Sequence, residues 1–104
     1  MDLGERFERE VLEDCRFLSR EHRYTPTYYM KMVQEHGAVK ATKILLASKQ
    51  PAEGFVKLWD LKQLELSVEA KALKRIYQPL FSHEELRAAR KRLDDLDFHL
   101  QDDW

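Results

Sequence analysis

Histidine, cysteine and paired carboxylates carry most catalytic and metal-binding chemistry, and this chain has few of them at useful spacing. Its four histidines lie far apart, and none forms a pair with metal-ligand spacing such as HExxH: His22, His36, His83 and His99. The adjacent carboxylates Glu84–Glu85 and Asp94–Asp95 diverge by about 100° on a helix instead of converging. The sequence therefore predicts no catalytic residue, no metal site and no cofactor.

Cys15 is the single cysteine, and it falls on the apolar side of the first predicted helix. A catalytic thiolate needs an electropositive and partly exposed setting, so we expect a buried, inert thiol. One cysteine cannot form an internal disulfide, and this cysteine usage fits a reducing, cytoplasmic compartment. Because the chain also has no Gly-rich phosphate loop and no nucleophile elbow, we predict that it is not an enzyme.

Length and composition indicate one soluble domain. The chain has 104 residues, of which 43% are hydrophobic and 36% charged, so it can build a core and a polar surface. No apolar run approaches the roughly 18 residues that span a bilayer, and no signal-peptide pattern occurs at the N-terminus. We predict a single cytoplasmic domain over residues 1–104, with no membrane partner and with a frayed end at residues 101–104.

Glycine and proline number only three each, and strong helix formers fill the stretches between them. This pattern predicts an all-α fold, a compact bundle of five or six short helices. The predicted segments are about 2–21, 26–36, 38–48, 52–61, 67–78 and 82–100.

Start and stop signals and apolar spacing place these helices and their core. Thr25 and Ser67 are predicted N-caps, Ser82 and Glu85 are predicted to form a capping box, and Gly37 is predicted to end the second helix. The predicted core residues are Phe7, Val11, Met32, Ile44, Leu45, Phe55, Leu58, Trp59, Leu73, Ile76, Leu86 and Leu93.

Charge is nearly balanced overall but segregated along the chain. The formal net charge is -1, whereas residues 31–76 alone carry nine basic and five acidic side chains. A helix–Gly37–helix unit in this region resembles a helix-turn-helix, but its second helix begins without an Arg, Asn or Gln that could read bases. Nucleic-acid binding is therefore the alternative prediction, and it uses five lysines for phosphate contact: Lys31, Lys40, Lys43, Lys49 and Lys57.

Aromatic side chains give the favoured functional hypothesis. A chain this small cannot fully bury all eleven of its aromatic residues, and Tyr and Trp are enriched at protein interfaces. Tyr24, Tyr28 and Tyr29 crowd the start of the second predicted helix. We predict that these three tyrosines bind another protein or a second copy of the chain.

Four local patterns carry a family resemblance over about residues 20–96. They are 24–32 (YTPTYYMKM), 36–46 (HGAVKATKILL), 54–69 (GFVKLWDLKQLELSVE) and 79–86 (PLFSHEEL). Together they resemble a small, uncharacterised bacterial all-helical domain with the signature G-F-x-x-L-W-x-x-x-x-L-x-L-[ST]-V-E. That domain occurs alone or appended to larger bacterial proteins, some in antiviral defence settings. The resemblance implies no enzymatic chemistry, and it implies a bacterial cytoplasmic partner in a defence or regulatory system.

Overall fold

A computed structural model describes residues 1–101 and 104 of the chain. This part contains two short 3-10 turns, Leu64–Leu66 and Gln78–Leu80, no strand, and six α-helices: α1 (Leu3–His22), α2 (Thr27–His36), α3 (Ala38–Ala47), α4 (Glu53–Asp60), α5 (Val68–Ala72) and α6 (His83–Asp95). The Cα radius of gyration is 12.6 Å, close to the value of about 13 Å for a compact domain of this length. The predicted compact all-α bundle of five or six helices is confirmed.

Three helices begin at a side chain that accepts a backbone N–H. Asp2 accepts from the Glu5 N–H at 2.8 Å, and Ser67 accepts from the Ala70 N–H at 3.1 Å. At the start of α6 the Ser82 hydroxyl accepts from the Glu85 N–H at 3.1 Å, while the Glu85 carboxylate accepts from the Ser82 N–H at 2.8 Å. The predicted Ser67 cap and Ser82 capping box are confirmed.

The start of α2 differs from its prediction. Thr25 is not the N-cap that the sequence predicts: its hydroxyl lies 2.8 Å from that of Ser19, and α2 begins at Thr27 without a side-chain cap. At the next junction Gly37 ends α2 with a φ of 84°, a conformation that favours glycine. Here the Glu8 carboxylate of α1 accepts the Ala38 N–H at 2.8 Å, so a distant helix caps α3.

Two helices are shorter than their apolar patterns predict. α5 ends at Ala72, and the chain then turns through i,i+3 hydrogen bonds towards Pro79, which has no N–H for a continuing helix. α6 ends at Asp95, and Asp97 then adopts a φ of 55°. After the end of α6, alternate residues of an irregular segment pack against the core: Leu96, Phe98 and Leu100.

Helix α3 lies at the centre of the bundle, against α1, α2, α5 and α6. It buries Ala38, Ala41, Thr42 and Leu46, while one narrow stripe of the helix remains at the surface. Beside it, the fully buried Phe7 ring packs edge-on against the rings of Tyr77 and Phe81, with centroids 5.2 and 5.5 Å away.

The predicted core is correct at seven positions that are buried: Phe7, Val11, Met32, Phe55, Leu58, Leu73 and Leu93. Leu45 and Leu86 are half-buried against it. The prediction is wrong for Ile44, Trp59 and Ile76, which are 41, 49 and 42% exposed. Ile44 lies on the surface stripe of α3, and Trp59 lies at the edge of α4 beyond the buried Leu58, because helical spacing does not say how wide the covered face is.

The C-terminal residues fall only partly within the described chain. Asp102 and Asp103 lie outside the described residues, so the prediction of a frayed end is not addressed there. Trp104 is half-buried, its indole N–H donates to the Ala70 carbonyl at 2.8 Å, and the Lys74 ammonium lies 4.7 Å from its ring centroid. These contacts attach Trp104 to α5.

Candidate binding cleft

A cleft of about 600 Å³ lies between the second half of α1, the segment 24–29, the segment 48–55 and the start of α5. We call it the tyrosine cleft. Its volume is in the range of sites that hold small ligands or peptide side chains. Its apolar wall is formed by Val11, Cys15, Leu18, Leu45, Phe55, Leu58, Leu66 and Val68.

The three tyrosines that the sequence singles out all line this cleft, but they are not equivalent. Tyr28 is 68% exposed, Tyr24 is half-buried, and Tyr29 is only 9% exposed. The Tyr29 hydroxyl lies 2.9 Å from the Thr42 hydroxyl, so it is committed to the α2–α3 contact. Burial raises the pKa of Tyr29. Tyr28 therefore offers the most accessible ring and Tyr29 belongs to the floor.

Gly54 has no side chain, and this leaves room for the Tyr24 hydroxyl. A Cβ atom at position 54 would lie 3.0 Å from the Tyr24 hydroxyl oxygen, closer than about nine in ten real Cβ contacts, so one of the two would have to move. Burial raises the pKa of Tyr24, and the nearby Cys15 and Glu53 raise it further. Two sequence patterns far apart in the chain, 24–29 and 53–55, thus meet and line one site.

Carboxylates supply the only charged groups along the cleft within the described part of the chain. They belong to Asp14, Glu53 and Glu69, and no lysine, arginine or histidine among those residues lines it. Burial raises the pKa of Asp14 although Lys71 opposes the shift, and burial raises the pKa of Glu69 although Arg92 opposes it. The tyrosine cleft is therefore apolar and acidic.

Arg92 connects α3 and α5 on the side of the cleft wall that faces away from the cleft. This side chain of α6 is 7% exposed. Its guanidinium donates to the Leu45 carbonyl at 2.9 Å and to the Ser48 carbonyl at 2.6 Å, and it lies 3.3 Å from the Glu69 carboxylate. One arginine thus binds the last carbonyls of α3 and neutralises the buried carboxylate of α5.

Lys71 forms the corresponding ion pairs on the α1 side of the cleft. Its ammonium is buried, lies 2.8 Å from Asp14 and lies 3.7 Å from Glu10. Neither Lys71 nor Arg92 is predicted from sequence to be buried. Arg92 stands in a charged run typical of a solvated helix face, and Lys71 stands between two alanines, with its partner Asp14 far away in sequence. The sequence does carry one signal of burial for Arg92. It falls at helical spacing with the apolar residues Ala89 and Leu93, which puts it on the buried face of α6.

Cys15 is buried as predicted, at 5% exposure on the wall of the cleft. Burial, together with the neighbouring Asp14 carboxylate, raises the pKa of the thiol to about 11. The thiol is therefore protonated at neutral pH, and a protonated thiol is a poor nucleophile.

The five lysines of the alternative prediction do not line the tyrosine cleft. Lys31, Lys40, Lys49 and Lys57 are exposed. Lys43 is half-buried instead: its ammonium donates to the Glu85 carboxylate at 2.8 Å and lies 5.4 Å from the Phe81 ring centroid. Lys43 therefore joins α3 to the capping box of α6, and its predicted phosphate contact stays a prediction.

The central position of α3 also disfavours the helix-turn-helix interpretation, because four other helices cover most of this helix. A recognition helix needs a broad free face that enters the major groove. The exposed stripe of α3 is narrow and carries Lys40, Ile44 and Ala47, of which only Lys40 is a side chain that commonly reads bases.

Comparisons of the chain with protein-family models, with curated proteins and with solved structures find no match. None of the helices in residues 1–101 has both the length and the apolar composition that a membrane crossing requires. Over the described residues, no three His, Cys, Asp or Glu side chains are grouped as metal ligands would be.

Proposed function

We propose that this chain is a non-catalytic protein-binding module and that the tyrosine cleft is its partner-binding site. The observation that carries the proposal is the Tyr28 ring, 68% exposed at the rim of a cleft of about 600 Å³. Large aromatic rings beside apolar pockets are the residues on which protein interfaces concentrate their binding energy. A bound partner would remove the Tyr28 ring from water, together with the half-buried wall residues Leu45, Leu66 and Val68.

The chemistry inside the cleft supports binding in preference to a reaction. Its thiol, Cys15, is protonated at neutral pH, because its pKa is raised to about 11. Two of its carboxylates are held in ion pairs, Asp14 with Lys71 and Glu69 with Arg92. These pairs build the walls, and a group so engaged is a poor general base.

The family resemblance supplies the proposed setting. The signature glycine, Gly54, and Phe55 beside it both line the tyrosine cleft. We place the partner in the bacterial cytoplasm, in a defence or regulatory system, as the resemblance implies. A second copy of the chain is the other protein partner that fits an interaction module of this kind.

The test is capture of a partner from an extract of the native host by immobilised chain, repeated with Tyr28→Ala and Phe17→Ala. Phe17 is a matched control, because it is 36% exposed and does not line the cleft. We expect Tyr28→Ala to weaken binding about tenfold or more, as a central interface aromatic does. Phe17→Ala should bind as the unaltered chain does.

Light scattering and a low-salt polarisation assay with generic duplex and single-stranded DNA complete the experiment. Both variants should keep the melting temperature within about 4 °C, since surface changes rarely exceed about 0.5 kcal/mol. A monomer that captures no protein would contradict the proposal. Binding of DNA that weakens steeply with salt would favour the alternative instead.

A further inference from the structure

We infer that the segment bound in the tyrosine cleft presents a lysine or arginine among apolar residues, an inference that rests on the proposed function. The charged groups along the cleft are Asp14, Glu53 and Glu69, all acidic. An apolar site with carboxylates of one sign selects a partner of the opposite sign and rejects acidic segments.

The cations nearest to these carboxylates do not cancel the preference. Lys71 lies 2.8 Å from Asp14 and Arg92 lies 3.3 Å from Glu69, but both cations are buried and neither lines the cleft. Cations therefore engage both Asp14 and Glu69, and Lys74 also acts electrostatically on Asp14. The third lining carboxylate, Glu53, is exposed in the first turn of α4 and is the one that these cations leave for a partner.

A basic side chain also matches the apolar surface in shape. Lysine and arginine bury their aliphatic stems against apolar walls while the charged end stays near a polar group. Here the stem would lie against the accessible apolar residues of the lining, Pro51, Leu66 and Val68. The Tyr24 and Tyr28 rings line the same cleft and can make a cation–π contact with the charged end. The Glu53 carboxylate, which lies close enough to the Tyr24 hydroxyl to raise its pKa, forms the ion pair with the bound cation.

The experiment uses a displayed library of random seven-residue peptides, selected on the immobilised chain at low salt. The tightest cleft binder, one that Tyr28→Ala weakens, is synthesised with fluorescein, and each lysine or arginine in it is replaced by glutamine and by glutamate. We expect the decisive glutamine replacement to weaken binding about threefold and the glutamate replacement about tenfold, the effects of losing and of reversing one exposed charge contact.

The protein variants Glu53→Gln and Glu35→Gln locate the contact. Glu35 is an exposed glutamate outside the cleft and is the matched control. Glu53→Gln should remove most of the difference between the basic peptide and its glutamine form, whereas Glu35→Gln should leave that difference unchanged. Rising salt should reduce the same difference.

The outcomes separate the inference from the proposed function. Peptides that bind in the cleft but have no basic residue, or that bind equally well with glutamate, overturn the inference and leave the protein-binding module intact. A library that yields no peptide sensitive to Tyr28→Ala counts against the cleft itself. A preference for lysine that survives Glu53→Gln unchanged overturns the assignment of the charge to Glu53.

Discussion

Replacing Arg92 with alanine is expected to lower the free energy of unfolding by about 3–5 kcal/mol, the cost of breaking a buried ion pair from one side. The substitution leaves the buried Glu69 carboxylate without its cation. It also leaves the Leu45 and Ser48 carbonyls, which Arg92 binds at 2.9 and 2.6 Å, without their donor. The end of α3 and one side of the tyrosine cleft then lose their attachment to α6.

Urea denaturation followed by circular dichroism measures this effect. The matched control is Arg90→Ala, two residues earlier on α6, where the side chain is exposed. The control should change the unfolding free energy by no more than about 0.5 kcal/mol. Equal effects of the two substitutions would contradict the role assigned to Arg92.

The same variant should show a particular pH dependence. Burial raises the pKa of Glu69 above its ordinary value of 4.5, against the opposing effect of Arg92. A carboxyl with a higher pKa in the folded state binds more protons there, so its contribution to stability falls as the pH rises above that ordinary value. Without Arg92 the pKa rises further. The cost of Arg92→Ala should thus be smaller near about pH 5 than near about pH 8.

Replacing Phe7 with alanine is expected to cost about 3–5 kcal/mol of unfolding free energy, as phenylalanine truncation in a packed core does. The Phe7 ring is fully buried and packs edge-on against Tyr77 and Phe81 at 5.2 and 5.5 Å. Because the ring lies in the closed interior between α1 and the segment before α6, we expect its loss to leave a cavity.

Trp59→Ala provides the contrast, because it separates the sequence expectation from the structure. A buried Trp59 would cost about 3–5 kcal/mol on truncation. The ring is 49% exposed, so we expect a loss below about 1.5 kcal/mol. Denaturation of both variants under one set of conditions decides the matter, and a larger loss for Trp59→Ala than for Phe7→Ala would contradict the observed packing.

Local signals explain what could be predicted of the fold from sequence. The Ser82 capping box and the Gly37 stop depend on residues within a few positions of one another, and both are confirmed. The N-terminus of α3 shows the limit. Its cap is Glu8, thirty positions earlier in the chain, and no local pattern encodes a contact that the packing of α1 creates.

The candidate site divides in the same way. Tyr24, Tyr28 and Tyr29 are neighbours in sequence, so their clustering was predictable, although the internal use of the Tyr29 hydroxyl by Thr42 was not. The opposite wall comes from Gly54 and Phe55, which only the tertiary fold brings to the tyrosines.

The most direct test of the protein-binding proposal is a backbone amide NMR titration of ¹⁵N-labelled chain with the selected peptide or the captured partner. We predict that the amide shift changes concentrate in the segments 24–29 and 50–55, excluding their prolines, and in the start of α5, the walls of the tyrosine cleft. Changes concentrated instead around Trp59 and Phe98, which line a second groove of about 440 Å³, or along the exposed stripe of α3 at Lys40 and Ile44, would contradict it.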